Sequence, residues 1–328
     1  AGLKYVLYSL TGSLLLLMGI LGLSLQAGTF DIQALAGHDY TPDSEFWIFL
    51  ALFLGFAIKL PMLPFHTWLP DAHSEAPTAG SVLLAGVLLK MGGYGFIRFC
   101  LPIFPEMSHS FAPAVLWMSV VAILYGGYMA LAQEDLKRLV AYSSVSHMGF
   151  VTLGIFSFNN EGVEGAILQM VTHGLTTGAM FLIVGQLYDR THSRSIADYG
   201  GLQQRMPRFV AILSLFAVAS FGLPTTSNFI GEFLILVGVS YENFTFVVLA
   251  MGGIVLGAAY MLWMLQRVAF GEARTEVAKK MTDLNTREML TIMPLAIAVV
   301  AIGVYPGPLL EAMDSSVSFV VERLASGL

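Results

Sequence analysis

Charge is what this sequence has least of. Only 12% of its 328 residues are Asp, Glu, Lys or Arg, while 56% are hydrophobic and the mean hydropathy is +0.74. A soluble domain carries about a quarter of its residues as charges. Such apolarity over this length implies many membrane spans rather than one globular core. The formal net charge of -6 is small, and it suggests neither nucleic acid nor any other polyanion as a partner. Cysteine is nearly absent too. Cys100 stands alone, so there is no intrachain disulfide and no cysteine cluster for zinc or an iron–sulfur centre. In FIRFCLPIF, at a helix end, it reads as inert packing. A Gly-rich phosphate loop, a metal-ligand cluster and a nucleophile–base pair are also missing, so nothing points to covalent chemistry or to a cofactor held by this chain.

What is present is a series of nine apolar segments, at roughly 4–26, 46–70, 76–101, 112–133, 138–157, 164–188, 208–240, 246–268 and 289–311. Most can cross about 30 Å of hydrocarbon at 1.5 Å per residue. The first could pass for a signal peptide, but its apolar run is too long and it lacks a small-residue cleavage site. The second is interrupted at Pro61 and Pro64, and the seventh breaks near Gly222 and Pro224. A proline inside a helix removes a donor and frees carbonyls that then need water or side-chain partners. A Pro-broken span carrying an ionisable residue thus occurs twice, a weak internal echo of the inverted repeats of transporters. The fold class expected is an all-α polytopic membrane protein, with residues 1–328 forming a single membrane domain.

The loops divide by charge. One set comprises the N-terminal end and residues 71–77, 134–138, 189–207 and 269–288. It carries Lys4, Lys137, Arg138, Arg190, Arg194, Arg205, Arg274, Lys279, Lys280 and Arg287. The opposite set holds Asp31, Asp39, Asp43, Glu45, Glu106, Glu161, Glu164 and Glu242, with almost no basic residue. The positive-inside rule places the first set in the cytoplasm or its organellar equivalent. Lys137 and Arg138 mark a helix start there, with Glu134 and Asp135 as expected partners.

Against this background three charges stand inside apolar segments: Lys59, Lys90 and Glu232. Charge at bilayer depth costs several kcal/mol and is kept mainly for ion or proton movement. Lys90 lies well inside its segment, where desolvation and a nearby carboxylate would pull its proton affinity in opposite directions. Its alternative is a lysine that snorkels to the interface. Lys59 is nearer a break, where snorkelling competes better. Glu232 either accepts protons or caps the half-helix starting near Ser227, although capping fades beyond the first turn.

Histidine adds groups that both donate and accept near neutral pH. His66 sits beside the first break, and His147 and His173 have Ser and Thr neighbours. His73 lies near the cytoplasmic end, where it could act at an entrance. Each can instead be a hydrogen-bonded core residue.

The stretches HTWLPDAHSEAPTAGSVLLAGVLLKMGGYGFIRFCLPIFP, QEDLKRLVAYSSVSHMGFVTLGI, LQMVTHGL and NFIGEFLIL carry a resemblance. They resemble the subunit-M and mitochondrial chain-4 family of respiratory NADH:quinone oxidoreductase (complex I). That family belongs to the antiporter-like membrane subunits, shared with multisubunit cation/proton antiporters and membrane-bound hydrogenases. The resemblance runs through essentially the whole chain. It implies that Lys59 is the lysine of the first broken helix and Lys90 the central lysine of the next. It likewise makes Glu232 the glutamate of the second broken helix, and places His66, His147 and His173 on a central hydrophilic axis.

The family fold has fourteen helices, and the nine here match its last nine. The chain opens on Ala1 rather than Met, so the early helices, with a glutamate that pairs with the first lysine, are expected upstream. The resemblance further implies proton translocation driven by redox energy from partner subunits. NADH, FMN, iron–sulfur clusters and quinone would all lie in those partners. Neighbouring antiporter-like subunits of the membrane arm and the lipid bilayer are the expected contacts. The expected location is the bacterial inner membrane, ahead of an organellar one. The alternatives are a subunit of a gradient-driven cation/proton antiporter or of a membrane-bound hydrogenase, and a purely structural membrane scaffold.

Overall fold

The computed structural model describes residues 1–273, 275, 279 and 281–326. Arg274 and Lys280, counted above among the basic loop residues, lie outside the described residues. Every regular element among those described is helical. The chain opens with α1 (Gly2–Ala27) and the short α2 (Ile32–Ala36), whose first turn is capped by Asp31. The pair α3 (Pro42–Lys59) and α4 (Trp68–Glu75) follows, then α5 (Thr78–Ile103) and α6 (Pro105–Leu131). Next come α7 (Leu136–Ile155), α8 (Asn160–Thr191), α9 (Pro207–Ser220) and α10 (Ser227–Glu242). The last three are α11 (Phe244–Ala269), α12 (Thr286–Val304) and α13 (Gly307–Ser326).

Among the described residues six helices, α1, α5, α6, α8, α11 and α12, are long and apolar enough to cross a membrane. The other three segments read as spans differ in kind. Two are interrupted pairs, α3 with α4 and α9 with α10. The third, α7, carries three serines, a threonine and a histidine, and every residue of it except Arg138 is buried. Such a helix avoids lipid because its neighbours cover it, which permits its polar side chains.

Both breaks fall where the prolines direct. α3 stops at Lys59, and side chains bond backbone carbonyls on both sides of the break. The Trp68 indole donates to the Ile58 carbonyl at 3.1 Å, and Lys4 Nζ donates to the Thr67 carbonyl at 2.7 Å. α9 stops at Ser220, the chain turns through Gly222 at φ +73°, and α10 begins at Ser227.

Three expectations change. The last apolar segment does not run on to 311: α12 ends at Val304, and Tyr305-Pro306 separates it from α13, a helix the hydropathy pattern did not show. A proline cannot continue the preceding helix but fits the start of the next. α6 begins at Pro105 rather than near 112 and keeps Pro113 inside it. Finally, Lys137 and Arg138 do not pair with Glu134 and Asp135. Lys137 is buried and donates to the Ala76 carbonyl at 2.9 Å, while Arg138 faces Asp71 at 3.6 Å. Asp135 instead caps α7 through the Arg138 N–H and meets Arg194 at 3.4 Å. Glu134 and Asp135 precede the helix, and the Asp135 carboxylate points back at the backbone as its cap rather than along the face that Lys137 and Arg138 occupy.

The interior is layered. One apolar cluster, rich in Phe49, Phe53, Phe96, Phe104 and Phe156, fills the half toward the acidic loops. A second, around Tyr199, Phe181, Phe209 and Tyr260, fills the half toward the basic loops. α7 enters the second cluster through residues 136–142 and the first through 145–155, and α8 crosses in the opposite sense. The side chains at the junction are Ser143, Ser144 and His147 on α7, and Thr172, His173, Thr176 and Thr177 on α8, all buried. A polar belt therefore lies at mid-depth between two apolar layers.

Candidate functional site

α5 delivers Lys90 to this belt. The helix widens into π turns at Leu84–Leu88 and Phe96–Cys100, on either side of the lysine. A π turn leaves a carbonyl without its usual donor and often marks a working position. The Lys90 ammonium donates to the Ala85 carbonyl of the first π turn, and lies 2.8 Å from Nδ1 of His173 on α8. α5 can come this close to α3 because residue 92 is glycine: a Cβ there would sit 2.8 Å from the Leu60 nitrogen and the Phe56 oxygen.

From His173 the polar groups continue across the bundle. The rings of His173 and His147 have centroids 5.4 Å apart. His147 Nδ1 lies 3.1 Å from Glu232 Oε1, with both side chains almost fully buried. Nε2 of each ring is buried without a hydrogen-bond partner among the described residues. Glu232 comes from α10, beyond the second break. Its other oxygen, Oε2, faces Gly222, where a Cβ would sit only 2.8 Å away. The carboxylate thus bonds side chains of neighbouring helices, and its position six residues into α10 is not that of a cap.

A residue the sequence reading passed over completes the group. Gln169 on α8 is fully buried; its Nε2 donates to Glu232 Oε1 at 3.1 Å and lies 3.5 Å from His147 Nδ1. Residues four apart on a helix share a face, so the 169–173 spacing was the available signal. Asn228 was also passed over: its Oδ1 accepts from Thr176 Oγ1 at 3.3 Å, and its amide reaches the Ser220 carbonyl where α9 stops, at 3.4 Å.

The remaining sequence candidates do not join this row by direct contact. Lys59 is half-buried at the end of α3 and lines a cavity of about 40 Å³ with Tyr5, Ser9 and Trp68. His66, in the 3-10 turn Phe65–Thr67, is buried edge-on against Tyr125 with ring centroids 5.1 Å apart. His73 is fully buried, stacked on Phe181 at 4.4 Å, and neither ring nitrogen has a partner among the described residues. No group of three His, Cys, Asp or Glu able to hold a metal occurs among the described residues.

Residues 1–258 match the transmembrane family described as NADH:quinone oxidoreductase/Mrp antiporter. The chain belongs to this family. Within the NADH:quinone oxidoreductase/Mrp antiporter family it is 48% identical to NADH-quinone oxidoreductase subunit M of Rhodobacter capsulatus, over all of this chain and 67% of that protein. It is also 48% identical to NADH-ubiquinone oxidoreductase chain 4 of Marchantia polymorpha, over 98% of this chain and 65% of that one. Among solved structures it superposes on a chain of respiratory complex I from Thermus thermophilus with a TM-score of 0.91. That match has 35% identity and covers 98% of this chain and 68% of the other. The chain therefore spans about two thirds of the length of the curated relatives it matches. Family and helices together make it a multi-pass inner-membrane protein of antiporter-like fold. Its relatives are subunits of an oxidoreductase complex.

Proposed function

We propose that this chain is the proton-translocating part of a membrane-arm subunit of a respiratory NADH:quinone oxidoreductase. The observation that carries the reading is the buried row Lys90–His173–His147–Glu232, in which a cation, two imidazoles and a carboxylate occupy the polar belt between apolar layers. Each neighbour in the row can pass a proton to the next by hydrogen bond, ring rotation or one bridging water, since imidazole both donates and accepts. Lys90 holds the central proton, and the two histidines carry it across the break to Glu232. From there it leaves toward the acidic side. Lys59 couples the row to a carboxylate on helices that precede this chain in its relatives' fold. His66 serves the same end of the path at the first break.

Moving one charge against 100 mV costs about 2.3 kcal/mol, so the cycle needs an external drive. Redox energy from partner subunits supplies it. NADH, FMN, iron–sulfur clusters and quinone belong to those partners, and this chain contributes no redox chemistry. Its neighbours are other antiporter-like subunits of the membrane arm.

The test is Lys90→Met in the full-length chain within the assembled complex. Proton uptake per NADH oxidised should fall sharply while the complex remains assembled. Unchanged pumping would overturn the assignment.

The family description also covers Mrp antiporters, which keeps a second reading alive: cation/proton exchange driven by an ion gradient. Sodium-dependent proton transport by the chain and its membrane neighbours, without any dehydrogenase subunit, would establish it.

A further inference from the structure

Of the sixteen lysines and arginines in the sequence, two lie within the bundle as Lys59 and Lys90. By their positions along the chain, all but two of the others fall in the basic loops or at the helix ends that adjoin them. The exceptions are Arg98 and Arg323, on the side where the loops are acidic. Arginine there runs against the positive-inside rule.

The structure brings these two exceptions together. Both line one cavity of about 360 Å³, bordered by α2, the last turns of α5 and α13. Arg323 is anchored in its wall: Nε donates to the Pro102 carbonyl at 2.6 Å, and another guanidinium nitrogen donates to the Ala36 carbonyl. That guanidinium pins α13 to both α2 and α5. Arg98 is exposed and makes no hydrogen bond or ion pair with any described residue. No carboxylate is among the residues that line the cavity, although this side of the protein is rich in them. The other walls include Ile32, Phe319 and Val320, with Phe319 59% exposed. Arg98 stands five residues before the end of α5, about 7 Å in from the helix terminus, which is headgroup depth.

A single arginine that snorkels to the interface explains one such residue. It does not explain two guanidinium groups converging on one carboxylate-free cavity with largely apolar walls. Guanidinium pairs with phosphate oxygens by parallel, charge-assisted hydrogen bonds, and cavities of about 300–1,000 Å³ are of ligand size. We propose that this cavity binds the phosphate of an anionic phospholipid from the outer leaflet, with an acyl chain against Phe319 and Val320. The lipid is then a strut joining α2, α5 and α13. The proposal does not depend on the proton path.

The test compares the full-length chain in its native complex with the Arg98→Gln variant, both purified in mild detergent. Phosphatidylglycerol and cardiolipin that copurify are measured per chain by mass spectrometry. Each protein is also melted in phosphatidylcholine nanodiscs with and without phosphatidylglycerol. Arg98 is exposed and makes no hydrogen bond or ion pair with a described residue, so the variant should fold. It is expected to lose one tightly bound anionic phospholipid per chain, and to lose the upward shift in Tm that phosphatidylglycerol gives the native protein. Arg98→Lys, which keeps the charge without the fork, should retain part of both. Equal lipid content and equal shifts in the native protein and Arg98→Gln would overturn the proposal. So would release of a neighbouring subunit with lipid content unchanged, which would mean that protein fills the cavity. Protection by inorganic phosphate in lipid-free detergent equal to that by phosphatidylglycerol would overturn it as well.

Discussion

His147 Nδ1 and Glu232 Oε1, 85 residues apart in the sequence, meet at 3.1 Å inside the bundle. Neither side chain has more than 5% of its surface exposed. Groups that act as a unit lose function together. His147→Leu and Glu232→Gln should therefore each lower the initial rate of NADH-driven proton uptake by roughly tenfold, equivalent to about 1.4 kcal/mol on the transfer barrier. The double variant should be hardly worse than either single one. Multiplicative losses in reconstituted vesicles would show that the two groups work separately.

Gln169 predicts a different pattern. Its amide supplies a donor to Glu232 Oε1 from a fully buried position. Gln169→Leu removes that donor but leaves the carboxylate buried, which should cost about 1–3 kcal/mol of stability. Chemical unfolding of the purified complex in detergent measures the loss, and proton uptake should fall with it. A variant as stable as the native chain would mean the carboxylate has found another donor.

At Gly92 the prediction is steric. A Cβ there would meet the Leu60 nitrogen and the Phe56 oxygen at 2.8 Å, and backbone atoms cannot swing aside as a side-chain tip can. Gly92→Val should destabilise by about 1–3 kcal/mol through forced separation of α3 and α5. Tm and the yield of assembled complex are the readouts. Normal values for both would show that the helices part easily.

The clamp on the basic side offers a fourth test. Arg190 reaches both oxygens of Glu288 at 2.7 Å and also donates to the Gln186 carbonyl at 2.9 Å. The two side chains are 16% and 20% exposed, between a surface pair and a buried one. Arg190→Leu should cost about 1–3 kcal/mol, and the loss should persist at high salt because partly buried pairs are poorly screened. A loss that vanishes at high salt would mark the pair as a surface contact.

How far the sequence reaches can be judged residue by residue. Lys59, Lys90 and Glu232 were conspicuous because each interrupts an apolar run, and a charge in such a run has a cost that needs a reason. The breaks were legible for a related cause. Proline removes a donor wherever it stands, so Pro61, Pro64 and Pro224 end helices without reference to any partner. Gln169 was not legible in the same way, because an amide on a helix is unremarkable until its neighbours are known. α13 was missed because its apolar residues alternate with Glu311, Asp314 and Glu322, which hides it from a hydropathy window.

The sequence by itself therefore determined the membrane character, the two interrupted helices, the division of the loops by charge and the identity of the charges within apolar segments. All of these follow from transfer free energies and backbone constraints that act locally along the chain. Tertiary structure alone decided which charges meet. Lys90 and His173 are 83 residues apart and touch at 2.8 Å, while Lys59, equally conspicuous in sequence, stands outside that row. Tertiary structure also decided that Arg98 and Arg323 share one cavity. Pairing across such separations depends on how helices pack, and packing depends on shape complementarity at places such as Gly92, which no local property of the chain records.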